Sequence, residues 1–164
     1  QAAAAGMAEV VVLAGARDDV ARLLPAADVL VFSSLCEGLP MALLEAMAAA
    51  RCIVASALPG IVEAVRPGRE ALIVRPGDTG ELRAALMQAA ADPGLRARLG
   101  AAARARFLAA YTAPRMVASY EAIYRDAWHA ARAIVRRRAG CGLPPGHVAR
   151  VAPGHAASAA EPAE

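Results

Sequence analysis

Residues Asp28 to Ala55 read DVLVFSSLCEGLPMALLEAMAAARCIVA, and this stretch decides the fold. The run Asp28–Phe32 is short, apolar and rich in β-branched residues, the pattern of a buried strand. Ser33 to Leu39 carries turn formers, and Pro40 suits the first position of a helix, where its missing N–H is no loss. The helix is predicted to reach about Arg51. A second apolar strand, Cys52–Ala55, follows at once. Two strands joined through a helix need a crossover connection, so the pair is predicted to be parallel.

The same alternation extends both ways. Upstream, Glu9–Ala14 (EVVVLA) closed by Gly15 reads as a further buried strand. Asp18 and Asp19 then open a short helix that is expected to turn Val20, Leu23 and Leu24 inward and to stop near Pro25. Downstream, Pro59-Gly60 reads as a turn and Val62–Val65 as a brief helical turn. Ala71–Val74 reads as a fourth strand. Pro76-Gly77-Asp78 caps a helix over Thr79–Ala91, Asp92-Pro93 starts another over Gly94–Ala110, and a last helix runs from about Pro114 to Arg138. The fold class expected is α/β, a Rossmann-like parallel sheet with helices on both faces, followed by C-terminal helices.

Three segments follow from this reading: a partial nucleotide-binding domain over 1–112, a terminal helix over 113–138, and a tail over 139–164. The tail holds few large apolar groups, cannot offset its ordering entropy by burial, and is expected to be disordered.

Bulk properties narrow the function classes. The chain has 164 residues and is 58% hydrophobic, but much of that is alanine and only 4% is aromatic. Its core must be built from small aliphatic groups. The richest apolar region, Met41–Val65, is broken by Glu45, Arg51 and Glu63, which excludes a membrane span there. Cys36, Cys52 and Cys141 are odd in number, without metal-ligand spacing, and fit free thiols in a reducing cytoplasm. All 18 basic residues are Arg. Between Arg96 and Arg138 ten Arg stand against Glu121 and Asp126, a run that reads as solvated helix faces. It lacks the interleaved aromatics of a nucleic-acid platform, so no nucleic-acid partner is expected. The localisation expected is cytoplasmic, with peripheral membrane association as a further expectation from the basic run.

The loop after the Asp28–Phe32 strand carries the chemistry. In parallel α/β sheets ligands sit at the carboxyl ends of strands, where loops lead into helix N-termini. Gly38 allows a tight turn and close approach of a ligand to the backbone. The N–H groups of the first helical turn favour an anion such as a diphosphate. Glu37 lies in the loop and Glu45 stands roughly 7–8 Å along the helix axis from Pro40. One carboxylate on either side of an anion site suits a sugar on one side and a ribose on the other. By spacing alone a solvated helix Glu fits Glu45 as well. Cys36 has no His within the motif region, which argues against a Cys–His nucleophile and for a small filler.

The segment Glu37–Ala48 resembles the Glu, seven residues, Glu signature of the group 1 (family 4) glycosyltransferases. The surroundings are similar too: Val11–Gly15 with Asp19, Ala27-Asp28-Val29, Ile53–Ser56, Pro59–Ile61 with Glu63, and Leu72–Val74 with Pro76–Asp78, all in the family's order from about Val10 to Trp128. The resemblance implies a two-Rossmann-domain (GT-B) enzyme of which this chain is the C-terminal, donor-binding part. It implies that Glu37 contacts the transferred sugar as the catalytic carboxylate. Gly38 and Leu39 would contact sugar and phosphate, with Pro40 and Ser34 beside them. Glu45 would bind the ribose hydroxyls, and Glu63 lies near the donor. It implies transfer from a nucleoside-diphosphate sugar with retention, no metal and no cofactor. The acceptor, a glycan, lipid or small molecule, would be bound by an N-terminal domain.

Two positions depart from the pattern. Arg51 stands where the family often has Gly, and Cys52 where many members have Pro. Both alter the turn from helix to strand. The Arg and Lys that the family uses on the diphosphate have no counterpart in this chain. Together with a start at Gln1, this leads to the expectation of an inactive fragment. A non-catalytic nucleotide or nucleotide-sugar binding module is the alternative. The terminal helix, with Met116, Tyr120, Ile123, Tyr124 and Trp128 at helical spacing, reads as a packing stripe that the family turns toward its N-terminal domain.

Overall fold

In a computed structural model the chain is described over residues 4–140. Three strands, β1 (Val29–Phe32), β2 (Cys52–Ser56) and β3 (Leu72–Val74), form one parallel sheet in the order β1-β2-β3. The register sets Val29 beside Cys52 and Val54 beside Leu72. The helices are α1 (Val20–Leu23), α2 (Met41–Ala48), α3 (Pro59–Ala64), α4 (Thr79–Ala91), α5 (Pro93–Ala110) and α6 (Ala113–Gly140). A 3-10 turn, Leu24–Ala26, follows α1.

All five residues of β2 are buried, as a central parallel strand covered on both faces requires. Their alternation divides the core. Ile53 and Ala55 pack with Leu43, Met47, Ile61 and Ala103, from α2, α3 and α5. Cys52 and Val54 pack on the other face with Ala89, Leu95 and Leu99, from α4 and α5. The α/β sandwich expected from the sequence is therefore the one observed.

The chain divides into two units, Gln1–Met116 and Val117–Glu164. The second is represented by most of α6. There Tyr120, Ile123, Tyr124 and Trp128 are all more than half exposed, as is Met116 at the end of the first unit. Within this helix Tyr120 stacks with Tyr124, and the Arg132 guanidinium lies over the Trp128 ring. Most of the 139–164 tail lies outside the described residues.

Several expectations are corrected. Glu9–Ala14 forms no strand, and Val12 and Leu13 are exposed. A strand needs a neighbour for its N–H and C=O groups, and none pairs with this run among the described residues. Without that sheet edge to pack on, Val20 and Leu23 also stay exposed, and only Leu24 of the expected trio is half-buried. Pro40 is the N-cap of α2, not its first residue, with an extended ψ of 127°. The Pro59-Gly60 turn is in fact the start of α3, because Pro59 supplies a preset φ at the first helical position.

The departure at the end of α2 has a clear geometry. Ala50 N–H donates to Met47 C=O and Arg51 N–H donates to Ala46 C=O, the pair of bonds that closes a Schellman turn. Ala50 carries the left-handed residue of that turn, at φ 55°. The Arg51 guanidinium donates to the carbonyls of Ala49 and Pro25, and Arg104 donates to Ala48 C=O. Arginines thus serve the carbonyls at this helix end, while an L-residue bears the strain that glycine avoids. Ala50→Gly is expected to stabilise the fold by about 0.5–1 kcal/mol, read as a raised denaturant midpoint at unchanged slope.

The turn before β3 is held by a buried carboxylate that sequence reading passed over. Glu70 is only 1% exposed. Its Oε2 accepts from Arg66 N–H at 2.8 Å, and its carboxylate pairs with the guanidinium groups of Arg66 and Arg69. Burial pushes the Glu70 carboxyl upward. The side-chain and backbone hydrogen bonds from Arg66, with the charges of Arg66 and Arg106, outweigh it and leave the group below its ordinary value.

Candidate functional site

The carboxyl ends of the three strands bring three connections together. The loop 33–40 leaves β1, the start of α3 follows β2, and the Pro76–Asp78 turn follows β3. A Cβ built on Gly77 would lie 3.7 Å from Leu35 Cδ2, and one built on Gly60 only 2.0 Å from Gly38 O. The first loop is therefore seated on the other two.

Within that loop Ser34 Oγ donates to Glu37 Oε1 at 3.0 Å. Ser34 is half-buried and Glu37 exposed, so a partly fixed hydroxyl anchors a carboxylate that faces solvent. Gly38 does not occupy the left-handed region. A Cβ on Gly38 would meet nothing within 4 Å. Its Cβ position thus faces open space, while its C=O packs closely on Gly60.

Leu39 and Pro40 lead into α2. The first turn of α2 has no side-chain cap, and Pro40 C=O already accepts from Leu43 N–H at 3.0 Å. Uncapped N–H groups at a helix start attract an anion. Glu45 is exposed one turn further, about 6 Å along the axis from Met41, and the buried faces of Leu43, Leu44, Ala46 and Met47 hold the helix to the sheet. Glu45 and Glu63 are both exposed. Ser34, Glu37, Gly38, Leu39, Pro40 and Glu45 thus lie along one loop and helix start.

Glu63 sits on α3 and is held through its backbone. Arg106 on α5 donates to Glu63 C=O at 2.8 Å and to Ala64 C=O at 2.5 Å, and Tyr111 Oη lies 3.4 Å from the same Glu63 carbonyl. Sequence reading missed this brace, since nothing in local pattern links residues more than forty positions apart. Arg17 is paired with Asp19 at 2.7 Å. A concavity of about 240 Å³ is lined by Asp28, Arg51, Cys52 and Arg96 at the amino ends of the strands, away from the motif loop. Among the described residues, no three His, Cys, Asp or Glu side chains are grouped to hold a metal, and no helix is long and apolar enough to cross a membrane.

Comparisons with known proteins identify the family and the fold. Residues 1–92 match the model of the family described as glycosyl transferases group 1. The chain is 30% identical over 116 residues to the N-acetyl-alpha-D-glucosaminyl L-malate synthase of Bacillus anthracis, covering 71% of this chain and 30% of that protein. Among solved structures it is similar to the sucrose-phosphate synthase of Thermosynechococcus elongatus, with a TM-score of 0.74 and 28% identity over 79% of this chain and 33% of that one. It is also similar to HepE of Anabaena in complex with UDP-glucose, with a TM-score of 0.62 and 25% identity over 65% of this chain and 29% of the other. The chain thus spans about a third of the length of the relatives it matches.

Proposed function

Because the chain belongs to the group 1 glycosyltransferases, we propose that it is the donor-binding portion of a retaining enzyme that transfers sugar from a nucleoside-diphosphate sugar. The observation that carries this reading is the order of groups along 34–45. A Ser34-anchored carboxylate at Glu37 comes first, then a bare backbone at Gly38, then the uncapped start of α2, then an exposed carboxylate at Glu45.

In this reading the α2 start binds the diphosphate and stabilises it as it leaves, since N–H dipoles fixed in advance need no reorganisation. Glu45 accepts from the ribose hydroxyls. Glu37 accepts from hydroxyls of the transferred sugar and lies where positive charge grows at the anomeric carbon. Further cations on the diphosphate, and the acceptor site, belong to the remainder of a longer protein. No resident metal or cofactor is part of the proposal. The likeness to a protein held with UDP-glucose supports the donor class.

Calorimetry with UDP, GDP and ADP tests the reading. One of the three is expected to bind, and Glu45→Ala is expected to weaken it by about 1.5–3 kcal/mol for a lost charge-assisted bond. Equal affinity of parent and variant would remove Glu45 from the site, and a parent that binds none of the three would end the donor reading.

A further inference from the structure

A Cβ built on Gly60 would lie 2.0 Å from Gly38 O, 2.4 Å from Gly38 C and 2.8 Å from Leu39 N. No side chain fits that gap, and all three atoms are backbone, which cannot swing aside. Gly60 is not in the left-handed region, so its backbone conformation is open to any residue. Space alone requires glycine here.

The contact has a direction. In a trans peptide the C=O and N–H point opposite ways. Gly38 O is the atom nearest Gly60, so the Leu39 N–H points away from α3. Among the described residues that N–H donates to no backbone carbonyl. A Cβ on Gly38, at the start of the same peptide, would meet nothing within 4 Å. The Gly38–Leu39 peptide is thus held closely by Gly60, with open space at the Cβ position of Gly38.

We propose that Gly60 is a positioning residue for the donor: its lack of a side chain seats α3 against the Gly38–Leu39 peptide and aims the Leu39 N–H at an oxygen of the bound nucleoside-diphosphate sugar. The proposal rests on the donor reading above and adds to it the residue that orients this donor group. Half-buried against the loop from a separate element, Gly60 acts only through the peptide it supports.

A control is built into the fold. A Cβ on Gly100 would lie 2.2 Å from Ala50 O, an equally close backbone contact at the far end of α2. Gly100→Ala therefore imposes the same kind of clash away from the loop. The experiment combines melting curves, calorimetry with the nucleoside diphosphate that binds the parent, and amide NMR of the parent during that titration.

Gly60→Ala is expected to lose at least tenfold in affinity. Gly100→Ala is expected to melt lower yet keep affinity within about twofold, since its clash spares the site. The Leu39 amide is expected to be among the most shifted as ligand saturates the parent. Unchanged affinity in Gly60→Ala, equal losses in both variants, or a Leu39 amide unmoved at saturation would overturn the proposal while the donor reading stands. The last measurement needs no variant, so a Gly60→Ala protein that fails to fold does not protect the idea. A parent that binds no nucleoside diphosphate would instead bring down the donor reading and this proposal together.

Discussion

In an enzyme carrying this segment, Glu37→Gln is expected to lower kcat by about 10²–10³-fold, the range seen when one preorganised electrostatic contact is removed. The substitution keeps the shape and one acceptor oxygen, so the sugar still sits in place. What is lost is negative charge beside a carbon that becomes positive on the way to the transition state. An interaction that strengthens only there changes kcat and leaves ground-state binding nearly untouched. Nucleoside diphosphate affinity is therefore expected to stay within about twofold. Ser34→Ala gives the graded companion, because Ser34 Oγ holds Glu37 Oε1 at 3.0 Å. Its loss should cost about 1 kcal/mol, a fall of several-fold in kcat. Steady-state kinetics with the sugar donor and calorimetry with the free diphosphate separate the two arms. A Glu37→Gln enzyme that turned over like the parent would remove Glu37 from the chemistry.

Glu70→Ala is expected to have the largest effect on stability. Glu70 is buried at 1% exposure and accepts from the Arg66 backbone as well as from two guanidinium groups. Truncation leaves the Arg66 N–H without this partner and opens the turn that carries the chain into β3. The cost is expected to be about 2–4 kcal/mol, for charge-assisted bonds at a buried acceptor. Chemical denaturation should report it as a lower midpoint.

The pH dependence gives a second reading of the same group. The folded-state pKa of Glu70 is depressed, so its stabilisation is complete above the unfolded value of about 4.3. It is then lost as the pH falls through the folded value. Asp78 adds to the same acid limb. Its carboxyl is lowered chiefly by the backbone N–H of Glu81, which it accepts as the N-cap of α4. Glu70→Gln should flatten the part of that limb belonging to Glu70. Parallel acid limbs in parent and Gln variant would show that the buried pair is not linked to folding.

Local pattern was enough for most of the architecture. Val29–Phe32, Cys52–Ser56 and Leu72–Val74 are the strands that apolar runs and turn formers announce. Thr79–Ala91 begins where Asp78 caps it. Asp92 likewise caps α5 through Leu95 N–H. These signals lie within a few residues of the structure they cause, so a sequence displays them directly. The order of Glu37, Gly38, Pro40 and Glu45 was legible for the same reason, since a loop and the helix after it are contiguous in the chain.

Contacts between distant segments were decided only by the tertiary structure. Glu9–Ala14 has the composition of a strand, yet no strand pairs with it here, because pairing depends on a neighbour and not on propensity. Gly60 looked like an ordinary turn glycine until its packing on Gly38 was visible. Arg106 behind Glu63, and Gly100 against Ala50, are likewise meetings of residues far apart in sequence. By itself the sequence determined which elements form and which residues line the loop after β1. The close packing of backbone on backbone determined how that loop is held, since such contacts depend on the register of three strands and the seating of helices on both sides of them.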